Sequence, residues 1–183
     1  MVSFDGQWVY FARFHDLTSK HGRGGGSDIY KIHVKTRKLV KLTDFGFAPN
    51  TGAANWSEDL VSHQPDKQHL ERALYNLGPC PLPSGKVMFT SNRHGFRPPS
   101  SPGNGTPTLQ LFVMDDSDDG PGSNVECVGF LNVANALHPV VLTDGRVMFS
   151  SQESQGMRTH LEWGLWTIHP DGTNWNPLVS AFA

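Results

Sequence analysis

An all-β fold assembled from repeated antiparallel units is what this sequence predicts, and three observations carry the expectation. Leu142-Thr143-Asp144-Gly145-Arg146-Val147-Met148-Phe149-Ser150-Ser151 echoes Leu82-Pro83-Ser84-Gly85-Lys86-Val87-Met88-Phe89-Thr90-Ser91, and a worn third copy opens the chain at Ser3-Phe4-Asp5-Gly6-Gln7-Trp8-Val9-Tyr10-Phe11-Ala12. Self-similarity of this kind marks a repeat architecture. The 19 Gly and 13 Pro, with only 17% charged residues, suit a turn-rich β protein. After each repeated glycine comes a run such as Val147-Met148-Phe149, apolar without alternation, which in a strand means cover on both faces.

The elements follow in order. Asp5-Gly6 and Asp144-Gly145 read as short hairpin turns of the primed type, glycine supplying the positive φ. In the first segment, residues 2–43, Trp8 to Phe14 is a strand, Asp28 to Val34 a second and Lys38 to Thr43 a third. The alternation of Ile29, Lys31 and His33 with Tyr30, Ile32 and Val34 predicts a less buried outer strand. Residues 44–77 interrupt the repeat. There Leu70, Ala73, Leu74 and Leu77 share one helical face, with Asp66 as N-cap and Gly78 just past the end, predicting one short helical insertion.

The second segment, 78–132, holds a strand ending at Leu82, then Lys86 to Ser91, Leu109 to Met114 and Val125 to Phe130. The third, 136–180, repeats the order with His138 to Leu142, Arg146 to Ser150, Gly164 to His169 and Trp175 to Val179. Four strands per unit in up-and-down order is the composition of a β-propeller blade. Blades repeat every ~40–50 residues, and the wider spacing of Gly6, Gly85 and Gly145 means that the units carry extra loop. The fold expected is a partial β-propeller of about three four-stranded blades. A ring needs about 4–8 blades, so an open arc is expected, with uncovered apolar faces on its terminal blades. The start at Ser3-Phe4-Asp5-Gly6 leaves little room for a full inner strand in the first blade. Such an arc self-associates when isolated.

Net charge is −2 and the pI about 6.5, so nothing invites a nucleic-acid backbone or an anionic membrane. No apolar stretch reaches the roughly 18–20 residues of a membrane span, and the N-terminus enters a repeat directly rather than reading as a signal peptide. Cys80 and Cys127 allow at most one disulfide, and neither begins the Cys-x-x-Cys-His of covalent haem. Gly-x-Ser-x-Gly, phosphate-loop and His-Glu-x-x-His motifs are all missing from the sequence. The chain itself therefore offers no catalytic motif.

Two constellations remain. The acidic turn Asp115-Asp116-Ser117-Asp118-Asp119-Gly120, with Glu126 beyond it, meets most of the calcium-loop pattern and makes Asp115, Ser117, Asp119 and Glu126 candidate ligands. Strands rather than helices flank it, Pro121 stiffens it and Gly122 replaces the aliphatic anchor, so an ordinary solvated turn is the rival reading. Loops at one end of a propeller converge. Arg93, His94, Glu153, Arg158 and His160 are therefore candidates for a ligand-binding rim, against a rim that is polar simply because loops are. His138, before Pro139, reads as a buried ring bonded to backbone.

The stretches Asp28-Ile29-Tyr30-Lys31-Ile32, VMFTSNRHGF (Val87–Phe96), LQLFVMDD (Leu109–Asp116), ALHPVVLTDGRVMFSSQESQG (Ala136–Gly156) and WGLWTIHPDGTNWNPLVSAF (Trp163–Phe182) resemble TolB-like and WD40-like propeller repeats. More narrowly they resemble the middle domain of the hydrazine synthase alpha subunit family. The resemblance implies a non-catalytic scaffold or interaction module of a larger, exported protein in a periplasm-like space, whose partners are other domains or subunits of that protein. It also leaves open a propeller segment of a haem-dependent, hydrazine-synthase-like oxidoreductase, with haem only in neighbouring domains, or a ligand-binding propeller.

Overall fold

The computed structural model describes residues 1–15, 26–43, 74–94, 108–129, 134–153 and 162–180. Three antiparallel sheets fill them. The first runs β1 (Trp8–Phe14), β2 (Ser27–His33), β3 (Leu39–Lys41); the second β4 (Asn76–Pro81), β5 (Lys86–Ser91), β6 (Gln110–Asp115), β7 (Ser123–Cys127). The third runs β8 (Ala136–Val141), β9 (Val147–Gln152), β10 (Trp163–Ile168), β11 (Asn176–Val179). Every neighbouring pair is joined in chain order, as hairpin connections require.

The repeated glycine precedes β1, β5 and β9, and its φ is +70° at Gly6, +78° at Gly85 and +88° at Gly145. The turn is not of the primed type. Gly85 N–H donates to the Leu82 carbonyl and Leu82 N–H to Lys86, a pattern that Leu142, Gly145 and Arg146 repeat. Within these three turns only the glycine has positive φ, so the left-handed residue follows an ordinary turn as a bulge. In the first sheet Ser3 N–H reaches Trp8, one residue farther on, which sets Trp8 level with Lys86.

This register explains the unbroken apolar runs. Alternate residues of β5 face opposite neighbours. Val87 and Phe89 pack with Tyr10, Ile29, Val40 and Leu42 of the first sheet, joined by Phe112, Met114 and Cys127. Met88 turns the other way, with Cys80, Leu82, Leu111 and Val113, against Val147, Phe149 and Ile168 of the third sheet. The second sheet is thus buried on both faces. Cys80 and Cys127 lie in different clusters and are free thiols.

β4 and β8 carry matching bulges, between Leu77 and Cys80 and between Leu137 and Val140. Each is formed at a residue before proline, Gly78 and His138, both with φ +56°. A Cβ on Gly78 would lie 3.3 Å from Pro139 Cδ, so the two bulges meet between the sheets. His138 is exposed there, not the buried ring expected of it.

Several expectations change. No helix occurs among the described residues. Residues 44–73 of the expected helical insertion lie outside them, and its last turn is extended instead, with Leu77 inside β4, because the Asn76–Ser91 and Leu77–Thr90 pairings claim that stretch for the sheet. The first sheet has three strands. The place of an inner strand is held by the start of the chain, where Val2 bridges to Val9 and Met1 exchanges backbone bonds with Tyr10. β2 is the middle strand rather than an outer one, and its Lys31 is fully buried.

Candidate functional site

Polar residues collect at the seam between the first two sheets. A parallel bridge from Ser27 to Tyr75, with Ser27 N–H donating to Leu74, brings the starts of β2 and β4 together. Asn76 closes the seam. Its backbone N–H donates to Ser27 Oγ at 3.0 Å, its side-chain amide to the Ser27 carbonyl at 3.0 Å, and Ser27 Oγ–H returns to the Asn76 carbonyl at 2.9 Å. Asp28, fully buried beside it, accepts from Thr43 Oγ1 at 2.8 Å and Asn76 Nδ2 at 3.3 Å. Its other oxygen lies 2.9 Å from His15 Nε2 and 3.0 Å from Lys41 Nζ. A buried carboxylate requires this company of donors.

Arg93 enters the seam from the end of β5. Its Nη2 donates to Asn76 Oδ1 at 2.9 Å and its Nε to Ser91 Oγ at 3.3 Å, while the guanidinium lies 5.2 Å above the Phe89 ring and 5.7 Å above Phe112. Burial lowers its pKa to about 10, with the charge of Asp28 opposing. His94 packs edge-on against Phe112 at 5.9 Å, and burial pushes its pKa down to about 4. Glu153, the third-sheet counterpart of Arg93, accepts from Trp166 Nε1 and from Ser180 Oγ. The structure therefore brings Arg93 and His94 together in a buried seam and places Glu153 in its own sheet. Arg158 and His160 lie outside the described residues.

A second lock sits at the other end of β2. Lys31 Nζ donates to Asp116 Oδ2 at 2.9 Å and Asp118 Oδ1 at 2.5 Å, lies 4.4 Å over the Trp8 ring and 5.7 Å over Tyr10, and shares Asp116 with the Tyr10 hydroxyl at 2.6 Å. Burial, then the bond to Asp116, raises the Tyr10 phenol pKa. The rest of the acidic turn is also paired. Asp115 pairs with Lys86 at 2.8 Å and accepts from Asn124, and Asp119 pairs with Lys38 at 2.6 Å. Those bonds hold both carboxyls below their ordinary range. Ser117 Oγ accepts from Asp119 N–H, and Glu126 is exposed on β7 opposite Val113. Among the described residues no group of three or more His, Cys, Asp or Glu is arranged to hold a metal.

Sequence reasoning missed Lys31, Asp28, Asn76, Asp116 and Asp118. The available signal was one lysine between Ile29-Tyr30 and Ile32, in the apolar middle of β2. Chemically, the first cluster crosses the seam through the amide of Asn76 and the second through the Lys31–Asp116 ion pair, and neither presents an aligned nucleophile and base.

No protein-family model matches the sequence, nor does any curated protein. Solved structures do. The chain superposes on a TolB from Agrobacterium tumefaciens with a TM-score of 0.60, over 97% of this chain and 47% of that one, at 18% identity. The fold is that of a TolB-like β-propeller. Hydrazine synthase from Kuenenia stuttgartiensis matches with the same TM-score of 0.60, over 97% of this chain and 24% of that one, at 13% identity. The chain thus spans about half the length of the first propeller chain and a quarter of the second. Its sheets are blades, and the two polar clusters are seams between the first blade and the second. Among the described residues no helix is long and apolar enough to cross a membrane.

Proposed function

We propose that this chain is a non-catalytic β-propeller scaffold or protein-interaction module of a larger protein exported to a periplasm-like space, with other domains or subunits of that protein as partners. The observation that carries this reading is the use of the buried ionisable groups. Asp28 and Lys31 tie the first blade to Asn76 and Asp116 of the second, and Arg93 braces Asn76 within the second; a scaffold needs no more from them. Propellers host many unrelated functions, so the fold alone does not decide between scaffold and enzyme.

The likeness to hydrazine synthase favours a second reading, a propeller segment of a haem-dependent oxidoreductase. Haem would then sit in neighbouring domains, since neither Cys80 nor Cys127 begins an attachment motif. A rim ligand held by Arg93, His94, Glu153, Arg158 and His160 is the remaining alternative. The test is export of the full open reading frame in a host with cytochrome c maturation. The scaffold reading expects periplasmic protein without a Soret band after denaturation. Denaturation-resistant haem would transfer the assignment to the oxidoreductase.

A further inference from the structure

Lys31 stands where the other blades manage without a charge. By register its counterparts are Val113 in the second blade and Thr167 in the third, paired with Met88 and Met148 as Lys31 is with Tyr10. Both counterparts are buried. The sheets therefore pack at this point on an apolar or a small side chain, and stacking does not ask for a lysine. Burying an ammonium is costly unless its surroundings favour the charge.

Here they do. Asp116 Oδ2 and Asp118 Oδ1 of the second blade accept from Nζ, while the Trp8 ring of the first lies 4.4 Å away and the Tyr10 ring 5.7 Å. Carboxylates and aromatic faces are the two kinds of wall that attract a cation. Tyr10 is tied by its hydroxyl to Asp116 at 2.6 Å, and His33 packs edge-on against Trp8 at 4.9 Å. This cage opens to solvent at Asp118, whose side chain is 65% exposed against 1% for Lys31. The turn is also braced without Lys31. Asp116 N–H donates to the Gly85 carbonyl and Ser117 N–H to Asp116 Oδ1, Asp115 pairs with Lys86 and Asp119 with Lys38. Gly122 N–H donates to the Leu42 carbonyl of the first blade.

We propose that this cage is a receptor for a primary ammonium group with the Lys31 side chain as its tethered ligand, so that a free alkylammonium ion binds there once the lysine is shortened. The docking of the first blade on the second is then a ligand–receptor contact built into the fold. The walls choose the class of ion. Two carboxylates and two aromatic faces suit a single positive charge on a small organic cation. Calcium takes roughly six to eight oxygens, and Asp115 and Asp119 are turned away to Lys86 and Lys38.

The test uses Lys31→Ala in the 183-residue chain with n-propylammonium, which restores the atoms that the substitution removes. Thermal melting should show a gain that sodium chloride at the same ionic strength does not give. At about 100 mM ligand and a dissociation constant on the order of 10 mM, the folding equilibrium moves about tenfold and Tm rises by roughly 3–6 °C. The amides of Asp116–Asp118 should shift along the same saturation curve. The parent chain, its cage already filled, should show neither effect, and adding Asp116→Asn to Lys31→Ala should weaken binding about tenfold. A variant that gains no more from n-propylammonium than from sodium chloride overturns the proposal. So does a gain that the parent chain shares, one that Asp116→Asn leaves untouched, or a stronger response to calcium chloride. If Lys31→Ala fails to fold by circular dichroism, Lys31→Val with ethylammonium takes its place, valine being what the second blade carries at Val113.

Discussion

Replacing Lys31 by Met removes the ammonium from the seam between the first two blades and keeps most of the apolar stem. The Nζ lies 2.9 Å from Asp116 Oδ2, and at that distance an effective dielectric of about 20 gives an attraction of roughly 5–6 kcal/mol. Desolvating a fully buried ammonium offsets several kcal/mol of this. Asp118, its side chain 65% exposed, adds little, and the Trp8 ring at 4.4 Å contributes about 1–2 kcal/mol. Asp116 keeps the Tyr10 hydroxyl and the Ser117 N–H after the change, so it is not left bare. Lys31→Met should therefore destabilise by about 1–3 kcal/mol, a fall in Tm of roughly 3–9 °C for a chain of this size. Urea unfolding of Lys31→Met, Asp116→Asn and the double variant gives the coupling directly, and about 1–2 kcal/mol is expected. Additive losses, with coupling below about 0.3 kcal/mol, would show that Lys31 is merely accommodated and does not join the blades.

Two further perturbations probe the turn and the other seam. At Gly145, φ is +88° and an added Cβ meets nothing within 4 Å, so only backbone strain opposes substitution; Gly145→Ala should cost about 1–2 kcal/mol in thermal melting and Gly145→Asn clearly less, and equal costs would point to something other than the left-handed turn. His94 is held neutral by burial with a pKa near 4, so between roughly pH 6.5 and 4 the unfolded chain takes up a proton that the folded one refuses. Stability should fall across that window by an amount on the order of 3 kcal/mol, and His94→Phe should flatten the decline; a variant with the parent's pH profile would place the titration elsewhere.

Much of the fold was legible because it repeats. The glycines at 6, 85 and 145 marked the turns, and Val-Met-Phe declared a strand covered on both sides at Val87–Phe89, in the layer between two others, but not at Val147–Phe149, where β9 alternates buried and half-buried residues. The turn type was not legible: Asp-Gly fits a primed turn and a bulged one equally, and the difference lies in which carbonyl the glycine N–H reaches. The helical spacing gave way at Leu77, where β5 recruited Asn76 and Leu77 as a partner strand, a tertiary demand that local periodicity does not register, while Leu70 and Ala73 lie outside the described residues. Arg93 and His94 carry the composition of an exposed loop, yet the aromatic rings of Phe89 and Phe112 draw them inward. The countercharges of the acidic turn, Lys31 on β2, Lys38 just before β3 and Lys86 on β5, are far from it in sequence and reach it only after folding, so this pairing was not legible.

Amide hydrogen exchange is the most direct measurement of the central claim, that three blades stack with the middle one enclosed. The slowest amides should be those of β5 and β6, at Val87–Phe89 and Leu111–Met114, where both faces are covered. Those of β3 and β11, at the sheet edges, should exchange far sooner. Exchange in β5 as fast as in β11 would contradict the stacked arrangement.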